Sequence, residues 1–155
     1  MDCYWTPAEL QALDKAETLD EMVEIALIIL ERMKSTGKKI VQVCGPMTRG
    51  GLGSYEANME LFRKVVVRAH EESGYVVFNQ DMFTKVILRL DAARQSPEYW
   101  HDLIDNFYGA IFRSGHFHGT LWIRQWETST GSVREREIAT ECGLLMEDCP
   151  EYWYD

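Results

Sequence analysis

Residues 38–54 read Lys38-Lys39-Ile40-Val41-Gln42-Val43-Cys44-Gly45-Pro46-Met47-Thr48-Arg49-Gly50-Gly51-Leu52-Gly53-Ser54, and this stretch decides the fold. The β-branched Ile40, Val41 and Val43 mark a strand within Lys38 to Met47 that stops at Gly45-Pro46. A glycine-rich loop, Thr48 to Gly53, follows. A helix then opens at Ser54, with Met59, Leu61, Phe62, Val65, Val66 and Ala69 as its apolar face and Ser73-Gly74 as its stop. Tyr75 to Asn79 returns to an extended pattern.

Upstream, Thr6-Pro7-Ala8-Glu9 has capping-box spacing with proline at the first helical position. Leu10, Leu13, Leu19, Met22, Ile25, Ile29 and Met33 recur at helical intervals, giving one or two helices with a break near Thr18-Leu19-Asp20. Downstream, Met82 to Leu90 fits a helix, and Ala92 to Ser96 reads as a mobile, substrate-side connection. Pro97 to Arg113 is helical through Trp100, Leu103, Ile104, Phe107, Ala110 and Ile111. Gly119 to Trp126 holds a third strand, and Gly131 to Cys142 a helix ending at Gly143. Alternating strands and helices predict an α/β fold, an open and mainly parallel sheet flanked by helices, with ligands at the carboxyl ends of the strands. We expect one domain over 1–155: an N-terminal helical extension at 1–36, an α/β core at 38–147 and an aromatic tail at 148–155.

Sixteen Lys and Arg against 25 Asp and Glu give a formal net charge of −9, and 46% of the 155 residues are hydrophobic. This excludes disorder as the main state, and the absence of a basic stripe argues against duplex nucleic acid or an anionic membrane surface as partner. The longest apolar run, Ala26 to Leu30, falls far short of the roughly 20 residues that span a bilayer. Cys3, Cys44, Cys142 and Cys149 form no C-x-x-C pair, and no signal peptide is visible, so reduced thiols in a cytoplasmic protein are expected.

Two segments carry candidate chemistry. In Val43 to Gly51, backbone N–H groups freed by glycine can hold a phosphate or a sugar hydroxyl, although no Walker lysine follows and a plain tight connection fits as well. In Trp126 to Glu135, Ser129, Gly131 and Ser132 offer hydroxyls and amides at a helix start, and Glu135 lies about one turn inside. A carboxylate beside an anion-holding loop suits attack on an electrophilic sugar carbon; the bland alternative is a serine cap and a glutamate interacting with the helix dipole.

Taken together, Cys44-Gly45-Pro46-Met47-Thr48-Arg49-Gly50-Gly51 resembles the opening loop of the nucleoside 2-deoxyribosyltransferase superfamily. The run Trp126-Glu127-x-Ser129-x-Gly131-x-x-x-Glu135-x-x-x-Ala139-x-x-x-Gly143 resembles its catalytic helix. The likeness spans Lys38 to Glu147 and is closer to the small nucleotide N-hydrolases than to the bulk transferases. It implies a Rossmann-like sheet and cleavage or transfer of an N-glycosidic bond on a nucleoside or nucleoside 5′-monophosphate, without metal or other cofactor. Glu135 would be the nucleophile on the anomeric carbon or would stabilise its cation. Ser129 and Gly131 would hold the 5′ group, and Gly45, Met47, Arg49 and Gly50 would line the opposite wall. Homo-oligomers are also implied.

A departing base also needs an acid. Asp81, after the second strand, and Asp102, on the helix before the third, are the candidates, with Asp105 beside them. Gln42 stands where relatives carry a tyrosine that orients the glutamate, which keeps open an alternative: a nucleotide-binding sensor with little or no catalysis. His116 and His118 put two imidazoles on one side of an extended segment but lack a third metal ligand. Cys44 is expected to be an inert buried thiol, and Tyr152-Trp153-Tyr154 a lid, a subunit contact or a plug on the sheet.

Overall fold

The computed structural model describes residues 2–155. Two helices, α1 (Pro7–Lys15) and α2 (Leu19–Lys34), precede the first strand, β1 (Ile40–Cys44). Thr6 caps α1 in a full capping box with Glu9, Thr18 caps α2, and the chain breaks between them near Ala16. Then follow α3 (Tyr55–Glu72), β2 (Val76–Val77), a 3-10 turn (Gln80–Phe83) and α4 (Thr84–Arg94). A continuous helical stretch comes next: α5 (His101–Leu103), a π-helical segment (Ile104–Tyr108) and α6 (Gly109–Arg113). The chain ends with β3 (Phe117–Trp122), α7 (Thr130–Glu141), β4 (Leu145–Asp148) and a 3-10 turn (Glu151–Tyr154).

The four strands are all parallel, in the order β2-β1-β3-β4. Parallel pairing buries both faces, so β1 is covered along its whole length, unlike a half-wet antiparallel strand. Alternate residues serve opposite layers. Val41, Val43, Val77, Leu121 and Ile123 meet α3 and the C-terminal turn. Ile40, Cys44, Val76, Phe78, Phe117 and Trp122 meet the remaining helices. The N-terminal pair belongs to that second layer through Leu13, Met22, Ile25, Ile29, Leu30 and Met33. No helix among the described residues is long and apolar enough to cross a membrane.

Several boundaries differ from the sequence reading. β3 begins at Phe117, the Ile123 N–H still donates to Cys44 O at 2.8 Å, and 124–126 leave the sheet where Gln125 turns with φ 67°. α4 runs through Ala92 and Ala93, good helix formers, before Gln95 ends it in the left-handed region. The sequence reading has no counterpart for β4; it is a four-residue edge strand with mostly exposed side chains, so no alternating pattern marks it. Trp153 and Cys149 of the tail are buried against α3's layer, which makes the tail a plug over the sheet. A register irregularity between Ile40 and Val41 places His118 as an extra residue opposite β1.

Candidate functional site

From β1 the chain crosses to β2 on one side and later to β3 on the other, so the connections diverge between β1 and β3. A crevice opens outside the carboxyl ends of the strands at such a point. The loops after β1 and β3 meet there: the Gly51 N–H donates to Thr128 Oγ1 at 2.7 Å. Gly50, at φ 73°, approaches the Thr128 backbone so closely that a Cβ would strike its carbonyl. Asn58, buried in the second turn of α3, fixes the rest of the loop. Its Oδ1 accepts from Leu52 N at 2.8 Å, and its Nδ2 donates to the carbonyls of Met47 and Gly50, both at 3.1 Å.

Across this loop stands the start of α7, where Ser129 caps the helix by accepting from Ser132 N at 3.3 Å. Gly131 faces Tyr99, whose hydroxyl fills the space a Cβ would need. One turn further in, Glu135 reaches the floor of a cleft also lined by Gly45, Met47, Thr84, Tyr99, Tyr108, Ser129 and Ser132, with Ile87, Leu88 and Ile104 as apolar wall. Three nearly or fully buried polar atoms of this lining have no hydrogen-bond partner in the protein: Glu135 Oε2, Ser132 Oγ and Thr84 Oγ1. Buried polar groups are normally paired, so these three atoms leave hydrogen-bonding capacity on one cleft that the protein itself does not use.

Glu135 is only 6% exposed. Burial raises its pKa to about 8, against a smaller opposing effect of the Cys44 thiol beside it. Most of the carboxyl is therefore protonated at neutral pH in the free protein. The same burial, with Glu135 as neighbour, pushes Cys44 well above the ordinary thiol range, in keeping with an inert thiol. Tyr99 is raised to about 12 by burial and then by Glu135, and Tyr108 is raised well above the phenol range for the same two reasons.

Of the residues singled out in the sequence, Gly45, Met47, Ser129, Gly131 and Glu135 converge on the cleft. Arg49 lies at its rim, with its guanidinium 5.5 Å from the centroid of the Tyr99 ring. Gly50 packs under Thr128 and serves the join between the loops. The two candidate acids lie elsewhere. Asp81 accepts from Arg63 Nε at 2.8 Å on the flank of α3, and Asp102 lines a separate cleft with Leu19, Trp100 and Asp105. Their placement follows from local geometry: Asp81 is in the first turn of the 3-10 segment and Asp102 on the exposed side of α5. Asp105 is engaged by Arg134 at 2.7 Å. Gln42 is fully buried beneath, with its Nε2 3.8 Å from Cys44 Sγ and its Oε1 unpartnered.

The histidines diverge, contrary to the expectation of one shared side: His116 Nε2 pairs with Glu31 of α2 at 2.6 Å, whereas His118 leans on Tyr75 at 5.7 Å. The bulge at His118 accounts for this, since one extra residue flips the facing. Among the described residues no group of three or more His, Cys, Asp or Glu is placed to hold a metal ion. The sequence reading missed Thr84, Tyr99 and Tyr108 as wall residues; only the irregular helix types around them hint at a special segment. No protein-family model matches the chain, and neither a curated protein nor a solved structure shows a match to it.

Proposed function

We propose that the cleft binds a nucleoside or nucleotide and cleaves or transfers its N-glycosidic bond, with Glu135 as the group that meets the anomeric carbon. The observation that carries this reading is a single buried carboxyl at the floor of a crevice at the strand ends, facing unpartnered hydroxyls. Apolar walls and phenol rings suit a flat base, and Ser132 and Thr84 suit sugar hydroxyls. As a nucleophile, Glu135 first releases its proton to solvent, its oxygen then bonds to the anomeric carbon, and the base leaves with the electrons of the carbon–nitrogen bond and takes up a proton from solvent. Water or a second base then captures the glycosyl group. Because Glu135 rests protonated, it ionises before attack, and turnover rises with pH towards and through about 8.

The alternative, a nucleotide-binding sensor with little or no chemistry, draws on one specific observation: no second carboxyl lines the cleft with Glu135. Incubating wild type and Glu135→Ala with a panel of nucleosides and 5′-monophosphates, with free bases resolved by chromatography, separates the two. Base released by wild type and not by the variant supports the enzyme. Binding without release supports the sensor, and the absence of both removes the nucleoside reading.

A further inference from the structure

Building on the nucleoside reading, we infer that the cleft takes uncharged nucleosides in preference to their 5′-monophosphates, and that Tyr99 sets this preference by occupying the start of α7 where a phosphate would otherwise seat. Two independent observations carry it. The first is steric: the Tyr99 hydroxyl fills the space beside Gly131 Cα in the first turn of α7, space that a phosphate seated on that turn would share. Part of the neighbouring hydrogen-bonding capacity is also engaged. Ser129 Oγ accepts from Ser132 N at 3.3 Å, and Thr128 Oγ1 accepts from Gly51 N at 2.7 Å and donates to Gln125 O at 2.6 Å.

The second is electrostatic: among the residues lining the cleft there is no Lys, Arg or His, and the one carboxylic acid is Glu135. A phosphate drawn inside would lose water without gaining a cationic partner, whereas sugar hydroxyls match the buried Ser132, Thr84 and Glu135 oxygens, which lack partners. Arg49, the cation at the rim, is engaged over the Tyr99 ring.

The test measures base release and calorimetric binding for matched nucleosides and 5′-monophosphates with wild type, Tyr99→Ala and Tyr99→Phe, alongside titration of inorganic phosphate at constant ionic strength. Wild type is expected to favour the nucleoside by a factor on the order of 10 or more and to show no saturable phosphate binding. Tyr99→Ala is expected to narrow that ratio about tenfold and to gain phosphate binding, while Tyr99→Phe, which removes only the hydroxyl that lies against Gly131 and keeps the ring, narrows it in the same direction by less. A wild type that prefers monophosphates, or that binds inorganic phosphate saturably, overturns the inference and leaves the nucleoside reading standing. So does a Tyr99→Ala variant whose ratio is unmoved. Should no nucleoside or monophosphate bind or react, the nucleoside reading falls and the preference falls with it, whereas the phosphate titration still decides whether Tyr99 closes the helix start.

Discussion

The backbone N–H of Gly51 donates to the side-chain oxygen of Thr128 across 77 positions of sequence, joining the loop after β1 to the loop after β3. This bond sets the mouth of the cleft, because Met47 and Thr48 on one side and Ser129 and Gly131 on the other are tied to the same junction. Removing the oxygen with Thr128→Val takes away both this bond and the one that Thr128 Oγ1 donates to Gln125 O, and is expected to cost about 1–2 kcal/mol in urea denaturation. Gly50→Ala is expected to cost more. Its φ of 73° penalises an L residue, and the new Cβ meets the Thr128 carbonyl, a backbone atom that cannot swing away. Equal stability of the two variants would show that the close approach imposes no such penalty.

Asn58 makes three bonds to the same loop from a buried position, so its loss strands two carbonyls and an amide together. Asn58→Ala is expected to destabilise the fold by about 2–3 kcal/mol and to weaken ligand binding beyond what Thr128→Val does. Chemical denaturation and binding of a ligand found in the nucleoside panel check both parts.

Glu135 links stability to pH with a definite sign. Its folded pKa of about 8 lies above the ordinary carboxyl value of 4.5, so between these values the folded chain keeps a proton that the unfolded chain has released. Stability attributable to this group is therefore full below about 4.5 and falls as pH rises to 8, by roughly 1.4 kcal/mol for each unit the pKa is displaced. Glu135→Gln, which cannot ionise, is expected to lose that slope and to gain stability relative to wild type as the pH approaches 8. Thermal melts of both proteins from pH 5 to 8.5 decide it; parallel profiles would falsify the buried-acid assignment.

What the sequence reveals of all this depends on how regular each segment is. The run from Ile40 to Glu72 is legible because three signals agree: β-branched residues, a glycine loop, and an apolar stripe opened by a serine cap. The place of Glu135 is legible for a similar reason, since Ser129 caps α7 and Glu135 follows Gly131 and Ser132 by four and three positions, on the same helix face. The opposite wall is not. Thr84, Tyr99 and Tyr108 come from a stretch that passes through 3-10, α and π turns, so no single period aligns its buried residues. Asp81 and Asp102 look like partners for Glu135 in sequence, yet their facing depends on those irregular turns, and it directs them to Arg63 and to a different cleft.

Gly131 and Tyr99 offer a direct test of that wall. Gly131 lies within the first turn of α7, where alanine ordinarily favours a helix over glycine by about 1 kcal/mol. Here the added methyl would collide with the Tyr99 hydroxyl, a group at the end of a rigid ring that can yield only by moving the whole side chain out of the cleft. Removing that hydroxyl relieves the collision, because the next ring atom, Cζ, is 3.4 Å from where the methyl would sit, an ordinary contact. Gly131→Ala alone is therefore expected to destabilise, and in the Tyr99→Phe background to be neutral or stabilising. The coupling between the two substitutions should amount to about 1–2 kcal/mol in a double-mutant cycle read by urea denaturation. Additive effects would mean that the phenol does not rest on Gly131 in solution, and the helix start would then be open to anions.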